Sequence, residues 1–130
     1  MTEVVCGVIK DSEGRVLACR RGEGRHLAGL WEFPGGKVDR EEGPEEALVR
    51  ELEEELGISV EVGERLEAVV EWTDGKVSIR LTGYWCEISD AEPMALEHAE
   101  VRWCDVSELA DLEWAEADLP LVAEILKSKI

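Results

Sequence analysis

The feature that most constrains this chain is the segment 36–58, in which a glycine-containing loop leads into one predicted helix. At about 100° per residue, Glu51, Glu54 and Glu55 fall on a single face of that helix. Carboxylates held so close together repel one another, so a fold that keeps them needs a use for them. Hard divalent cations prefer oxygen ligands. The pattern therefore favours a site for Mg²⁺ or a similar ion.

An apolar stripe borders the acidic face of the helix. We expect it to be buried, and it consists of Leu48, Val49, Leu52 and Leu56. Glu46 and Glu53 fall on the far side and are predicted to be solvated, and Glu46 precedes Arg50 at the spacing of an exposed ion pair. Pro44 suits the first helical position, and Gly57 suits the position after the last turn.

The spaced pattern as a whole resembles the Nudix box. The matching positions are Gly36, Glu42, Arg50, Glu51, Leu52, Glu54, Glu55, Gly57 and Ile58. The MutT-like branch of that family, which includes the oxidised-dGTP and CTP pyrophosphohydrolases, is similar in further stretches, namely Arg20-Arg21, residues 30–37, 97–103 and 117–120. The resemblance implies one α/β domain over residues 1–130, a Nudix-type α/β/α sandwich with a mixed sheet between helices.

The resemblance also implies a metal-dependent site. Mg²⁺, with Mn²⁺ as a substitute, would be held by Gly36 through its carbonyl and by Glu51, Glu54, Glu55 and Glu97. Catalytic roles are implied for Glu51, Glu54, Glu97 and Arg50. Either Glu51 or Glu97 could accept the proton of the attacking water, and Arg50 is expected to orient the glutamates by ion pairing. The match of Glu97 depends on loop spacing, and its alternative is a solvated glutamate. For Glu42, a metal role through water and a structural role both stay open.

Substrate contacts are less well defined. The residues that align with nucleotide-binding positions are Arg21, Lys37, Trp114 and Asp118. An ionised Asp118 only accepts hydrogen bonds, which suits guanine or cytosine and not uracil or thymine; the alternative is a cap of the last helix. Trp114 could stack on a base or belong to the core, and Arg21 could be a surface arginine. The tryptophans expected in the core are Trp72, Trp85 and Trp103.

Composition narrows the class of protein. The 14 basic against 31 acidic residues give a net charge of −17, which disfavours a nucleic acid polymer as partner. There is no long apolar run and no secretion signal, so we expect a cytoplasmic protein without membrane contact. The scattered cysteines predict reduced core thiols rather than disulfides or a zinc site, at Cys6, Cys19, Cys86 and Cys104. A monomer and a homodimer are both compatible with the sequence.

Alternation of apolar residues and turn signals predict the remaining elements. Strands are expected at residues 3–10, 15–20, 33–38, 59–72, 77–88 and 101–106, followed by a helical turn capped by Ser107 and a helix at 119–129.

The resemblance implies hydrolysis of a (deoxy)nucleoside triphosphate to a nucleoside monophosphate and diphosphate, with oxidised dGTP and (d)CTP as leading substrates. Hydrolysis of another nucleoside diphosphate derivative such as ADP-ribose is an alternative. A non-catalytic module that binds a nucleotide or a protein is a second one.

Overall fold

The computed structural model describes residues 1–25, 27–88 and 92–128. Its strands are β1 (Thr2–Lys10), β2 (Val16–Arg20), β3 (Trp31–Glu32), β4 (Gly35–Lys37), β5 (Val60–Thr73), β6 (Ser78–Ile88) and β7 (Glu100–Cys104). Its α-helices are α1 (Pro44–Leu56) and α2 (Leu119–Lys127), and two 3₁₀ turns lie at Val106–Asp111 and Glu116–Asp118.

The strands form one mixed sheet. Its main order is β3-β2-β1-β6-β5, while β4 pairs with β1 and β7 pairs with β2. The β1–β6 pair is parallel and the other pairs are antiparallel. Helix α1 packs on one face of the sheet and α2 on the other. The predicted α/β/α sandwich with a mixed sheet between helices is confirmed.

Strand β1 is the centre of both cores. Val5 and Ile9 pack with the buried side of α1, whereas Cys6 and Val8 pack in the cluster that contains α2. Successive side chains of a strand point to opposite faces, so a strand covered on both faces needs an almost unbroken apolar run. The four cysteines are free and buried, as predicted.

Helix α1 begins at Pro44 and ends before Gly57, as predicted, and Gly57 adopts the left-handed conformation at φ 67°. Its buried residues are Ala47, Leu48, Leu52 and Leu56. Val49 is 38% exposed, so its predicted burial is wrong. Val49 lies at the outer edge of the apolar stripe, and the buried face extends to Ala47 on the other side of that stripe.

The predicted strand 33–38 is shorter in the structure, where β4 covers only Gly35–Lys37, and a separate short strand, β3, precedes Phe33 and Pro34. The carbonyl of Pro34 accepts a hydrogen bond from the backbone N–H of Gly7 at 2.8 Å. At the start of β4, a Cβ on Gly35 would overlap the backbone of Val5. Only glycine fits there, and this close approach fixes the following residue, Gly36, beside α1.

The helical turn after β7 begins at Val106, and its N-cap is Asp105 rather than the predicted Ser107. The backbone N–H of Asp105 donates to Glu108 Oε1 at 2.8 Å, in the manner of a capping box. In the part of the chain that the structure describes, the helices are too short and too polar to cross a membrane.

Candidate active site

Strand β4 and helix α1 meet at Gly36. A Cβ on this residue would lie 2.5 Å from Glu51 Oε2 and 2.7 Å from Glu51 Oε1, closer than side chains tolerate. The absence of a side chain at Gly36 therefore lets the Glu51 carboxylate lie directly against the backbone of the loop. The structure brings the glycine loop and the first glutamate of the acidic face into contact.

The three glutamates of the acidic face differ in exposure. The side chains of Glu51 and Glu55 are 17% and 14% exposed, whereas that of Glu54 is 55% exposed. Burial, together with the charges of Glu51, Glu32 and Glu97, raises the pKa of Glu55 to about 8. A cation at this position would offset the repulsion that raises this pKa, so the donor set fits a hard divalent ion.

Arg50 pairs with the acidic face rather than with Glu46. Its Nη2 and Nε atoms donate to the two oxygens of Glu42 at 2.6 and 3.1 Å, and its Nη1 atom donates to Glu51 at 2.9 Å. The predicted Glu46–Arg50 pair is therefore wrong, because the long arginine side chain reaches around the helix to the denser group of carboxylates. Glu46 instead accepts a hydrogen bond from the backbone N–H of Gly43 at 3.1 Å.

The contacts of Glu42 support its structural alternative. Besides its two bonds from Arg50, Glu42 accepts a hydrogen bond from the backbone N–H of Asp39 at 3.0 Å. The hydrogen bonds from Arg50 and Asp39 lower the pKa of Glu42. This carboxylate ties the loop before α1 to the arginine of the acidic face.

Among the residues the structure describes, no three acidic, histidine or cysteine side chains are already arranged to hold a metal ion. Arg50 occupies part of that space, since its Nη1 atom is bonded to Glu51 and lies 3.5 Å from Glu54 Oε2. Arg50 contacts one oxygen of each carboxylate, so coordination by both glutamates would use their other oxygens, Glu51 Oε2 and Glu54 Oε1.

A cavity of about 340 Å³ opens beside this group of carboxylates. Its walls include Arg21, Phe33, Gly36, Glu55, Trp72 and Asp118. One end is thus formed by the glycine loop and α1, and another by residues from β5 and the turn before α2. The cavity brings three of the predicted substrate contacts, Arg21, Lys37 and Asp118, next to the predicted metal ligands Gly36 and Glu55.

Arg21 is held at the cavity by a part-buried ion pair. Its Nη1 atom lies 2.6 Å from Glu32 Oε1, and the two side chains are only 20% and 17% exposed. Burial alone would raise the pKa of Glu32, but hydrogen bonds from His98 and Arg21 and the charge of Arg21 outweigh it and lower the pKa. Arg21 is therefore not a surface arginine.

Asp118 is buried, and its Oδ2 atom accepts a hydrogen bond from the backbone N–H of Phe33 at 2.9 Å. It occupies the N-cap position of α2, but its side chain makes no capping hydrogen bond. The alternative of a side-chain cap is therefore wrong. Burial raises the pKa of Asp118 to about 7. A neutral carboxyl can donate as well as accept, so the sequence-based exclusion of uracil and thymine no longer follows.

Two tryptophans, Trp114 and Trp72, lie near the cavity, and it is Trp72 that lines it. Trp114 is 7% exposed, donates its indole N–H to the Leu109 carbonyl at 2.7 Å and packs on Phe33 with ring centroids 4.6 Å apart. This placement favours support of the cavity wall over direct stacking. Trp72, expected in the core, is only half-buried and lines the cavity.

Lys37 and Glu97 lie at the outer side of the site. The Lys37 side chain is exposed at the rim of the cavity, and its carbonyl accepts a hydrogen bond from Arg50 Nη2 at 3.2 Å. Glu97 is exposed, and its carbonyl accepts a hydrogen bond from Arg25 Nη1 at 3.4 Å. The charge of Glu97 contributes to the raised pKa of Glu55, so the two carboxylates lie within electrostatic range of each other.

Sequence reasoning missed three residues of the site, Glu32, Trp72 and His98. A charged residue between the apolar Trp31 and Phe33 is the signal that could have marked Glu32 as buried and paired. Trp72 and His98 carried no such signal, because their contacts come from segments distant in sequence.

Three comparisons with known proteins agree with this arrangement. The family described as NUDIX domain matches residues 2–125. The chain is 38% identical over 122 residues to the CTP pyrophosphohydrolase of Escherichia coli, covering 94% of this chain and 89% of the relative. It is 31% identical over 127 residues to the 8-oxo-dGTP diphosphatase of the same organism, covering 95% of each.

A crystal structure of a MutT NUDIX hydrolase from Burkholderia pseudomallei superimposes with a TM-score of 0.83 at 30% identity, covering 95% of this chain and 96% of that one. The family match spans almost the whole chain and includes the glycine loop, α1 and the cavity. The chain therefore belongs to the NUDIX family.

Proposed function

We propose that this protein is a MutT-type pyrophosphohydrolase that converts a nucleoside triphosphate and water to a nucleoside monophosphate and diphosphate. One observation carries the proposal: a single cavity joins buried carboxylates and a glycine loop to an aromatic ring and a buried aspartate. A nucleotide has the same two parts, a polyphosphate that needs a cation and a flat base that needs stacking and hydrogen bonds.

The relatives support this substrate class. Their printed names are CTP pyrophosphohydrolase and 8-oxo-dGTP diphosphatase, and the alignments cover most of each chain. We propose oxidised dGTP and (d)CTP as the leading substrates for this chain. Because the protein carries a net charge of −17, anionic substrate binding requires local positive charge in the site.

A divalent cation would supply that charge, and we propose Mg²⁺, with Mn²⁺ as a substitute. The residues that would hold it are Gly36 through its carbonyl, Glu51, Glu54, Glu55 and Glu97. When bound, such an ion neutralises phosphate oxygens and lowers the pKa of a coordinated water. Glu51 or Glu97 would accept the proton of the water, while Arg50 keeps Glu51 oriented through its hydrogen bond of 2.9 Å.

The residues at the other end of the cavity would select the base. Trp72 offers a half-exposed aromatic face, and Arg21 is fixed near it by Glu32. Asp118 in its ionised form accepts hydrogen bonds from a guanine or cytosine amino group. In its neutral form it also donates to a base carbonyl. Lys37 at the rim is free to reach the outer phosphates.

The direct test is turnover of a nucleotide panel with Mg²⁺ or Mn²⁺, with nucleoside monophosphate and diphosphate measured together. The panel contains 8-oxo-dGTP, dGTP, CTP, dCTP, UTP and ADP-ribose. We expect the highest kcat/KM for 8-oxo-dGTP or a cytidine nucleotide and no turnover without a divalent cation. A preference for ADP-ribose would replace the proposed substrate class. Binding without turnover of any compound would favour a non-catalytic module.

A further inference from the structure

A buried pair, Glu32 and His98, lies between the two ends of the candidate site. His98 Nε2 is 2.9 Å from Glu32 Oε2, and the His98 side chain is only 1% exposed. Glu32 Oε1 is bonded to Arg21, so the carboxylate uses one oxygen for each partner. The pair therefore connects the loop before β7 with β3 and with the arginine of the cavity.

The burial of His98 is costly and needs a reason. In the part of the chain described, its Nδ1 atom is buried without a hydrogen-bond partner, which destabilises the folded state. An apolar residue would fill the space without this cost. An apolar residue could not replace the hydrogen bond from His98 Nε2–H to Glu32. We therefore infer that this hydrogen bond is the role of the His98 side chain.

His98 also fixes the segment that carries Glu97. On one side of His98, the carbonyl of Glu97 accepts a hydrogen bond from Arg25 at 3.4 Å. On the other side, the backbone N–H of Ala99 donates to Arg20 at 2.9 Å. Between these two backbone hydrogen bonds, the buried imidazole of His98 holds the segment against the protein interior.

The same ring lies against α1. His98 Nε2 is 3.8 Å from Glu55 Oε1, too far for a hydrogen bond but close enough to define where that carboxylate can lie. Glu55 also shares a side-chain hydrogen bond with Glu51, and the buried His98 ring between Glu32 and Glu55 limits where the Glu55 carboxylate can turn.

We propose that His98 and Glu32 are positioning residues. They hold Glu55 and the segment that carries Glu97 at fixed positions relative to Arg21. The cation and the nucleotide then bind in one fixed arrangement. This inference rests on the proposed function for its catalytic consequence. Its structural part, the placement of Glu55 and Glu97, can be measured without turnover.

The test compares His98→Leu, His98→Gln, Glu32→Gln and the control Glu100→Gln. Leucine fills the space without a donor, and glutamine places an N–H donor near the position of Nε2. Glu100 begins β7, where it pairs with Arg20 at 3.3 Å and with Arg102 at 3.1 Å. Among the described residues it makes no ion pair with Glu32 or His98, so its variant controls for the loss of a charge. Two quantities are measured: Mn²⁺ binding to the full chain without nucleotide, by electron paramagnetic resonance, and kcat and KM.

For His98→Leu we expect Mn²⁺ binding at least threefold weaker and kcat at least tenfold lower, with KM changed less than threefold. His98→Gln should recover most of both losses. Glu32→Gln should raise KM at least fivefold, because Arg21 loses its charged partner, and Glu100→Gln should match the wild type. In the double variant of Glu32 and His98, the losses should be smaller than the product of the two single losses.

Equal Mn²⁺ binding by His98→Leu and wild type would overturn the proposal. Equal losses in His98→Leu and His98→Gln would also overturn it, since they would assign His98 to packing alone. If His98→Leu does not fold, the proposal is tested by comparing Glu32→Gln with the control Glu100→Gln in the same two measurements. If the wild type hydrolyses no nucleotide, the proposed function fails, but the Mn²⁺ titrations still decide whether the pair positions the carboxylates.

Discussion

Gly36→Ala tests whether the contact between the glycine loop and Glu51 matters for activity. The new Cβ would lie 2.5 and 2.7 Å from the two Glu51 oxygens. Non-bonded contacts at or near 3.5 Å are comfortable, so the carboxylate must move by about 1 Å. Glu51 can do this by rotating its flexible side chain, at the expense of its hydrogen bond to Arg50.

A shift of about 1 Å in a catalytic group can cost about 100-fold in rate, or about 2.7 kcal/mol in the activation free energy. We therefore expect kcat/KM for the best triphosphate of the panel to fall about 100-fold. The fold should be nearly unaffected, with a loss of about 1 kcal/mol or less, the typical net value of the one hydrogen bond involved. Steady-state kinetics and urea denaturation measure the two quantities on the same preparations.

Gly22→Ala is the matched control, because the nearest atom to its new Cβ would be 3.8 Å away. It should retain wild-type activity and stability. Gly35→Ala provides the opposite contrast, since its Cβ would overlap the Val5 backbone, which cannot rotate away. That variant should lose stability first. Activity of Gly36→Ala within threefold of wild type would refute the conclusion that Gly36 places Glu51 for the reaction.

Three further outcomes are expected. Glu97→Gln should lower kcat at least tenfold with little change in the urea midpoint; near-normal turnover would remove Glu97 from the site. Trp72→Ala should raise KM for the nucleotide at least fivefold and Trp72→Phe much less, if the ring stacks on the base. Asp118 stays protonated in the native state up to pH about 7, whereas the unfolded carboxyl ionises near pH 4. Its contribution to stability is therefore present below about pH 4 and is lost as the pH rises to about 7, by up to about 4 kcal/mol. Asp118→Asn should remove this pH dependence of stability in a series of urea denaturations. If wild type and Asp118→Asn lose stability in parallel as the pH rises, Asp118 is not its source.

The local parts of the site were predictable from sequence. The bounds of α1, the exposure of Glu46 and Glu53 and the partial burial of Glu51 and Glu55 follow from helical periodicity and end signals within one segment. The partner of Arg50 was not predictable in this way. Its side chain is long enough to reach several carboxylates, and it pairs with Glu42 and Glu51 rather than with Glu46.

Residues joined across the chain were less predictable. Asp118 meets Phe33 and His98 meets Glu32 over 85 and 66 positions in sequence. No local pattern reports such contacts, since they depend on which strands lie side by side. Burial produced by the same packing also raised the pKa of Asp118 and changed which hydrogen bonds it can offer.

The sequence by itself determined the family resemblance, the α/β/α class and the acidic face of α1, because spacing along one helix and alternation along strands are local properties. The tertiary structure decided where the cavity lies, that Trp72 rather than Trp114 lines it, and that Glu32 and His98 are buried between the carboxylates and Arg21. The physical reason is that exposure, ion-pair partners and pKa values are set by neighbours in space. In this chain the strand order β3-β2-β1-β6-β5 brings those neighbours together from distant segments.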